Sequence, residues 1–398
     1  MSLLSVPFLL LAALAILWLR GTRGRLREAG FLVLSAVFAA SYLGPVGSLS
    51  TALFCLAGFG AARLVERHPR RLAPAVAVLT LTFLVMRAYD FLVPVLPRSL
   101  AEGLLATAGL SFLFFKILHV VIDASAGTLG PLRAGRYACY CLNFTTFLLG
   151  PIQRYQDFSD QWDGRKAAIG PGFDSHLDAF NRMLRGFVKK FVVAEFLARY
   201  ALLPGAGLGD LGPLEALQGT YLFYLFLYFD FSGYCDIVIG IGSLMGIRPP
   251  ENFDLPFFSG NIAAFWLRVH RSLTTWLTEY VFNPLYARAL RSASLGRHKP
   301  LAASCALLGT MLVSGLWHGT TFNFVLFGLV HGIYLSVYRS FELAMIGRIG
   351  RKGLRQRRRQ LWWRAAAWLV TFHASASAYL FFVLDGPDLK ELWHRCLG

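Results

Sequence analysis

The chain has 398 residues, of which 56% are hydrophobic and 15% charged, whereas an ordinary soluble domain is about 25% charged. It carries 39 Lys and Arg against 22 Asp and Glu, a formal net charge of +17, together with 34 Phe, 15 Tyr and 9 Trp. This composition excludes a disordered chain and a soluble nucleic-acid-binding protein, and six Cys in this length exclude a disulfide scaffold. It favours an integral membrane protein, in which each charge within the hydrocarbon region is costly.

Apolar runs recur along the whole chain. Those near 20 residues are long enough to cross a bilayer as helices, and shorter ones broken by Gly or Pro are typical of re-entrant segments buried in protein. The first run has no basic residue before it and indicates an uncleaved span rather than a signal peptide. We therefore predict one all-α polytopic domain over residues 1–398, with about ten to twelve membrane elements. The clearest runs are Ser2–Leu19, Ala29–Tyr42, Leu49–Ala62, Ala73–Leu96, Leu104–Ile122, Phe191–Leu203, Leu222–Met245, Leu301–Trp317, Phe322–Tyr338 and Ala365–Leu384.

Basic residues concentrate in alternate loops between these runs. Loops 20–27 and 63–71 each carry four Arg, and loop 348–359 carries seven Lys and Arg, whereas the segment near Pro45 carries none. By the positive-inside rule, the basic loops are cytoplasmic and both termini lie outside the cytoplasm. The positive excess therefore indicates topology first, and it also offers a docking surface for an acidic partner.

A first polar block interrupts an apolar run at Tyr228–Asp236. Asp230 and Asp236 lie six residues apart, with Ser232 and Tyr234 between them. A carboxylate within a membrane must be paired, protonated or solvated in a cavity. Taken singly, these residues are expected to support helix–helix hydrogen bonds. Asp230, Ser232 and Tyr234 are also candidates for substrate binding.

A second block combines a loop and a helix. Pro249–Phe257 is predicted to be an ordered loop, because its prolines forbid a continuous helix, and it holds Asn252. Asn261–Leu273 is predicted to be an amphipathic helix that places Trp266 and His270 on one face, one turn apart. Asn252, Trp266 and His270 are therefore candidate site residues.

A third block, Ser314–Thr320, places Trp317 and His318 in an apolar run. A histidine bracketed by Trp and Gly in such a run is not a surface histidine, and the flanking glycine lets a substrate or a backbone approach closely. His331 follows 13 residues later and is expected to be a satisfied core residue. His318 is therefore the stronger catalytic candidate, with Trp317 beside it as a candidate for substrate binding.

The sequence contains no phosphate-binding loop and no Cys-x-x-Cys pair, and Gly240–Gly242 lies in the wrong context for a Rossmann turn. His270 and His318 are too far apart in sequence for spacing alone to indicate a metal site. Polar residues in broken helices are also typical of transporters, and a membrane transporter or channel is the alternative from another class. Against it, we see no inverted repeat, and the polar groups cluster in one half of the chain.

Several of these segments, taken in order, resemble the membrane-bound O-acyltransferase (MBOAT) family. The match covers roughly residues 100–340 by motif and most of the chain by its pattern of spans. Several motifs in one order make a far more specific signal than any one alone. The segments are Gly150–Tyr155, Tyr228–Asp236, the Pro-Glu-Asn-Phe-Asp-x-Pro-Phe block at 250–257, the Phe-Trp-x-Arg-x-His helix at 265–270 and the Ser-Gly-x-Trp-His-Gly block at 314–319.

The resemblance implies a fold of many membrane helices, with re-entrant and amphipathic helices, around a central tunnel. It implies that His318 is the catalytic histidine of the Trp-His-Gly block, and that His270 matches the second, more variable polar position. It further implies a multi-pass enzyme of the bacterial inner membrane. Such an enzyme joins an acyl thioester, presented from the cytoplasm, to a hydroxyl that can come from the other side.

The acyl donor implied is a phosphopantetheine thioester on a carrier protein or on coenzyme A, with no tightly bound cofactor and no metal. The expected partners are an acidic acyl carrier protein at the cytoplasmic face, an extracytoplasmic acceptor or partner acyltransferase, and membrane lipid, with no nucleic acid.

Within the family, the two alternatives are D-alanine transferases of the DltB type and polysaccharide O-acetylases of the alginate type. Asn283–Arg288 stands where the acetylases usually have a Gly-Gly-Asn-Arg block, and Phe381–Trp393 is similar to the DltB C-terminus. Ser232–Asp236 is closer to the acetylases. D-alanyl transfer is the preferred prediction and O-acetyl transfer the alternative.

The two candidate histidines suggest how the acyl transfer would proceed. A hydroxyl is a poor nucleophile near pH 7, and a neutral imidazole can take its proton as it attacks a thioester. We hypothesise that His318 is this general base and that His270 orients the acceptor or polarises the thioester carbonyl. No Ser or Cys stands out as an acyl-enzyme nucleophile, which favours direct transfer through one tetrahedral intermediate.

Overall fold

The computed structural model describes residues 4–89, 92–95, 97, 109–168, 170, 172–204, 209 and 211–397. The regular structure within these ranges consists of helices alone, which confirms the predicted all-α class. The start of the predicted run Leu104–Ile122 lies outside the described residues. The longer helices are α1 Val6–Gly21, α2 Gly24–Arg67, α3 Leu72–Arg87, α4 Leu110–Ser125, α5 Ala134–Cys141, α6 Tyr155–Trp162, α7 Phe173–Val188, α8 Pro213–Met245, α9 Ile262–Trp266, α10 Arg271–Leu277, α11 Asn283–Arg291, α12 Lys299–His318, α13 Phe322–Arg357, α14 Leu361–Ser377 and α15 Gly386–Leu397.

Short helical segments complete these elements. One-turn 3₁₀ segments occur at Pro69–Arg71, Val93–Val95 and Pro256–Phe258, and short α-helices at Glu195–Ala198 and Leu380–Val383. Two π-helical stretches, Lys189–Ala194 and Thr278–Phe282, continue α7 and α10 without a break. Such wide turns inside helices frequently mark functional regions.

Six helical segments in the described part of the chain are long and apolar enough to cross a membrane, and α1 is a shorter apolar helix. The 44-residue α2 contains two predicted runs, because Gly44 adopts a left-handed φ of 69° directly before Pro45 and kinks the helix there. A multi-pass membrane protein is confirmed. The six segments are Gly24–Arg67, Pro69–Arg87, Pro213–Met245, Lys299–His318, Phe322–Arg357 and Leu361–Val383.

The predicted run Phe191–Leu203 is not a separate span. It is the end of the amphipathic helix that begins at Phe173 and continues through the π-helical stretch to Ala198. The predicted run starts too late along the chain. Polar residues between Asp174 and Arg185 interrupt the apolar pattern, although the apolar side chains of this helix lie on one face.

The described chain divides into two compact units. Unit 1 comprises residues 1–187 and 234–250, and unit 2 comprises residues 188–233 and 251–398. In unit 1, aromatic side chains form much of the core: Phe8 packs edge-on against Phe38 and Phe144, with ring centroids 5.7 and 5.8 Å away. The buried Lys116 donates from its ammonium to Tyr140 O and Thr146 Oγ1, each at 3.0 Å. This lysine is therefore part of the internal packing of unit 1.

Unit 2 is built around α12 and α13, which form an antiparallel hairpin joined by residues 319–321. A Cβ atom placed on Gly315 would lie 2.2 Å from the carbonyl oxygen of Phe324, and one on Gly328 would lie 2.3 Å from that of Met311. The two backbones therefore touch along this glycine face, which is the close packing that small residues permit between membrane helices. Trp266, Phe265 and Tyr224 bury their side chains against the same hairpin.

Candidate active site

His318 is the last residue of α12, immediately before the turn of the hairpin. Its position is fixed by close contacts of the two flanking glycines with Phe324. A Cβ atom on Gly319 would collide with the ring of Phe324, and Gly315 lies against the carbonyl of the same residue. The glycines that bracket the Trp-His pair therefore serve the approach of another part of the chain, one of the two uses that the sequence suggested.

The half-buried imidazole of His318 lies among aromatic rings. Its centroid is 4.7 Å from that of Trp317, 5.4 Å from Phe327 and 5.1 Å from Phe382, each in an edge-on geometry. Such edge-to-face contacts orient a ring as well as burying it. The imidazole is thus held in a largely apolar surround at the end of a membrane helix.

His270 does not lie on the predicted continuous helix, and that prediction is wrong. α9 ends at Trp266, and α10 begins at Arg271. His270 between them has a left-handed φ of 44°, a conformation uncommon for any residue other than glycine. Residues held in this way cluster at active sites, so the backbone itself marks His270 as unusual.

Backbone pairing with the proline-rich loop explains the break. The amide of Asp254 donates to Arg268 O at 2.9 Å, and the amide of Arg271 donates to Asn252 O at 2.9 Å. These two bonds hold the chain on both sides of His270 and prevent it from continuing as a helix. The predicted ordered loop is therefore confirmed, and it shapes the neighbouring segment.

Asn252 also acts through its side chain. Its Oδ1 accepts hydrogen bonds from the Ser272 amide at 3.1 Å and from Ser272 Oγ at 2.7 Å. Both residues are buried. Asn252 thereby satisfies an amide in the first turn of α10 that the helix leaves without a partner, as a capping residue does. The geometry makes Asn252 a positioning residue for the turn that carries His270.

Trp317 contacts both histidines. The ring centroid of His270 is 5.5 Å from that of Trp317 at 82°, and Trp317 is followed directly by His318 at 4.7 Å. Phe231 covers another side of His270 at 5.0 Å. Burial lowers the pKa of His270 to about 3, so this imidazole is neutral at physiological pH. The structure thus brings together the two histidines that the sequence singled out, 48 residues apart in numbering.

His331 joins the same array, although the sequence suggested a satisfied core residue. Its Nδ1 accepts a hydrogen bond from Trp266 Nε1 at 3.3 Å, and its ring lies 4.6 Å from that of Phe327, which also contacts His318. Because the indole can only donate, the neutral imidazole must carry its proton on Nε2. That nitrogen is buried and has no hydrogen-bond partner within the described residues. No local sequence signal distinguishes this histidine from a core residue.

The remaining predicted residues lie along α8. Asp230 forms an ion pair with Lys190, and Ser232 is buried with no hydrogen bond to its Oγ in the described part of the chain. Tyr234 belongs to unit 1, where its hydroxyl donates to Thr145 O at 3.2 Å. Asp230 and Tyr234 thus have structural partners, whereas the hydroxyl of Ser232 remains available.

An array of histidine and aromatic rings, with one imidazole at the end of a membrane-length helix and another on a constrained turn, is an arrangement suited to acid–base chemistry. The chain belongs to the membrane-bound O-acyltransferase family, whose model matches residues 124–384. It is an O-acyltransferase, and the resemblance carried by its motifs is confirmed.

Three relatives illustrate the range of the family around this chain. It is 29% identical to a teichoic acid D-alanyltransferase of Streptococcus thermophilus over 303 residues, 73% of this chain and 71% of the relative. It is 34% identical to a probable alginate O-acetylase of Pseudomonas putida over 240 residues, 59% of this chain and 46% of the relative. It is 30% identical to a peptidoglycan O-acetyltransferase of Helicobacter pylori over 246 residues, 62% of this chain and 43% of the relative. The match thus spans less than half of each O-acetylating relative.

Proposed function

We propose that this enzyme transfers D-alanine from a phosphopantetheine carrier protein to a hydroxyl of an extracytoplasmic cell-envelope polymer. The observation that carries the acyl-transfer chemistry is that the rings of His270 and His318 both pack against Trp317. The choice of D-alanine is supported by the even coverage of the D-alanyltransferase, about seven tenths of both chains. The absence of the Gly-Gly-Asn-Arg block, where Asn283–Arg288 stands, supports the same choice.

In the proposed reaction, the acceptor hydroxyl lies against His318 and loses its proton to the imidazole as its oxygen attacks the thioester carbonyl. A carbon–oxygen bond forms in a tetrahedral intermediate, and the carbon–sulfur bond then breaks. The proton held by His318 passes to the departing pantetheine sulfur, so the histidine is regenerated neutral. No covalent acyl-enzyme is needed.

The other residues position this chemistry. His270 is neutral and buried, so it can donate one hydrogen bond to the carbonyl oxygen on which negative charge develops. Trp317 packs against both imidazoles, and Asn252 holds the turn that carries His270. Trp266 fixes the tautomer of His331, whose ring contacts Phe327 as the ring of His318 does. Ser232 supplies a further hydroxyl for substrate binding.

O-acetyl transfer to a polysaccharide is the second candidate. It is favoured by the higher identity to the probable alginate O-acetylases, 33–34%, and by Ser232–Asp236, which is closer to the acetylase version. The same residues would perform the same steps, since the two reactions differ only in the acyl group and its carrier. The donor therefore has to be identified by assay.

The experiment compares two donors on purified enzyme in lipid nanodiscs. D-alanyl carrier protein and acetyl coenzyme A are supplied separately with a cell-envelope acceptor, and ester formation is measured. Faster transfer of D-alanine supports the proposal, and transfer of acetyl alone overturns the choice of acyl group. His318→Ala should lower the rate at least 10²-fold, the usual contribution of a general base being about 10²–10⁴-fold. The exposed His394→Ala is the matched control, and near wild-type turnover of His318→Ala would contradict the mechanism.

We further propose that the basic segment 348–359 lies on the cytoplasmic face of the inner membrane and attracts an acidic carrier protein, with both termini on the other side. Neutralising Arg355, Arg357 and Arg359 should raise the KM for the carrier, and the effect should shrink as salt is added. Unchanged KM at low salt, with topology preserved, would leave these residues with a topological role alone.

A further inference from the structure

Unit 1 contains a cavity that the acyl-transfer chemistry does not use. Its volume is about 630 Å³, within the range of ligand-binding cavities. It lies where α1 ends and α2 begins, beside the first residues of α5 and the end of α6. Five arginines line it: Arg23, Arg25, Arg27, Arg133 and Arg136.

The acidic residues of this cavity are already engaged. Glu28 and Asp163 line it, and both pair with Arg136, at 3.4 Å from Nε and 2.7 Å from Nη2. The hydrogen bond from Arg136 lowers the pKa of Asp163, and Asp163 also pairs with Arg165. Arg136 is thus neutralised within the wall of the cavity.

The other four arginines have no carboxylate partner among the residues that the structure describes. Like charges gathered around one cavity repel each other and do not stabilise the fold by themselves. The excess is an unbalanced positive charge that a bound anion would compensate. The structure therefore presents the cavity as charged for a ligand that the chain does not supply.

Trp162 organises two of the guanidinium groups. Arg27 lies over its ring at 4.7 Å and donates from Nη1 to Trp162 O at 2.8 Å, and Arg136 lies over the same ring at 5.4 Å. The Nε of Arg27 is buried and has no hydrogen-bond partner within the described residues. The ring contact and the Nη1 bond hold the Arg27 guanidinium in place, and a phosphate oxygen is the acceptor whose geometry best matches the planar fork of N–H groups that a guanidinium presents.

The surface beside the cavity favours a lipid as the source of that phosphate. Leu14 and Leu17 on α1 are exposed, as are Leu26 and Val33 on α2. In a membrane protein these side chains face hydrocarbon rather than water. A headgroup in the cavity could therefore continue into acyl chains along this apolar face, whereas a soluble anion would leave the face uncovered. Basic cavities at the ends of membrane helices bind anionic headgroups in this way.

We infer that this arginine cavity is a binding site for the phosphodiester headgroup of an anionic membrane lipid, with Arg23, Arg25, Arg27 and Arg133 as its cationic contacts. Arg27 and Trp162 form its fixed wall, and the exposed Arg23, Arg25 and Arg133 close around the headgroup. The site shares no residue with the candidate active site, and lipid binding does not depend on the acyl group transferred.

The test is native mass spectrometry of the detergent-solubilised protein titrated with phosphatidylglycerol, phosphatidylcholine or inorganic phosphate. The wild type should retain phosphatidylglycerol in preference to phosphatidylcholine. Each basic residue near an anionic lipid contributes about 1 kcal/mol, so each removed arginine should weaken binding about fivefold. The triple variant R23Q/R25Q/R133Q should therefore bind on the order of a hundredfold more weakly.

Two controls keep the inference falsifiable. R351Q/R355Q/R359Q removes the same charge from exposed arginines of another basic segment and should leave the preference unchanged. R23K/R25K/R133K keeps the charge that sets topology and should retain part of the binding. Equal loss in R351Q/R355Q/R359Q, or no loss in the triple Gln variant, overturns the site. Equal occupancy by inorganic phosphate and phosphatidylglycerol overturns its assignment to a lipid.

Discussion

Replacing Asn252 by alanine tests whether this residue positions His270 or binds substrate. In the structure its Oδ1 accepts from the amide and the hydroxyl of Ser272, and its own carbonyl accepts from Arg271. The substitution leaves the backbone pairing in place and removes both side-chain bonds. The first turn of α10, which follows His270, then loses the partner of its buried amide.

The magnitude follows from the two donors left behind. A buried donor without an acceptor costs about 1–3 kcal/mol, and a hydroxyl can often rotate to another partner, so we expect Asn252→Ala to lower the free energy of unfolding by about 2–4 kcal/mol. Ser272→Ala removes the hydroxyl bond but keeps the amide bond, and should cost about 1 kcal/mol. A misplacement of about 1 Å at a catalytic group costs on the order of 10²-fold in rate.

The assay is steady-state acyl transfer in nanodiscs, combined with thermal unfolding of the same preparations. Because Asn252 acts through His270, kcat should fall about 10²-fold with KM for either substrate nearly unchanged. Ser272→Ala should lower kcat far less. A raised KM with unchanged kcat would refute this reasoning, since it is the signature of a residue that contacts the substrate in the ground state.

Three further variants test separate parts of the site. Gly315→Ala should prevent the close approach of the backbone at Phe324 and abolish stable folding. The control Gly347→Ala should fold normally, because a Cβ there meets nothing within 4 Å. Similar yields of folded protein for both variants would disprove the close contact. His331→Phe should destabilise the protein by about 1–3 kcal/mol, because the Trp266 indole loses its acceptor, and an unchanged unfolding temperature would contradict this. His270 has a folded-state pKa of about 3, so its protonation is disfavoured in the native state, and the free energy of unfolding should fall as the pH drops from about 6.5 towards 3. His270→Gln should lose less stability over this range. Parallel curves of unfolding free energy against pH for both proteins would count against the buried neutral imidazole.

The two candidate histidines could be singled out from sequence because each lies in a short motif that carries its own signal. His318 is bracketed by Trp and Gly in an apolar helix, and the structure places it at the end of that helix. Their proximity could not be derived from spacing. It depends on Trp317, which contacts the rings of both His270 and His318, and on the resemblance to a family that combines the two motifs.

Features that depend on distant partners were not predictable. The break before α10 results from hydrogen bonds to Asn252 and Asp254, whereas the local pattern of residues 261–273 is that of a helix. The partner of Asp230 is Lys190, forty residues earlier. Periodicity reports which face of an element is apolar, but it does not report which remote backbone or charge competes for the same segment.

The glycine contacts between α12 and α13 have a consequence for how this enzyme could change its substrate. Because two backbones meet at Gly315 and Gly328, the location of His318 is set by main-chain atoms, which vary little when side chains are exchanged. The rings around it, such as Phe327 and Phe382, are free of that constraint. Substitutions among these rings can therefore reshape the space around His318 while the proposed base remains in place. Such an arrangement would let one scaffold diverge between acyl groups without rebuilding its chemistry.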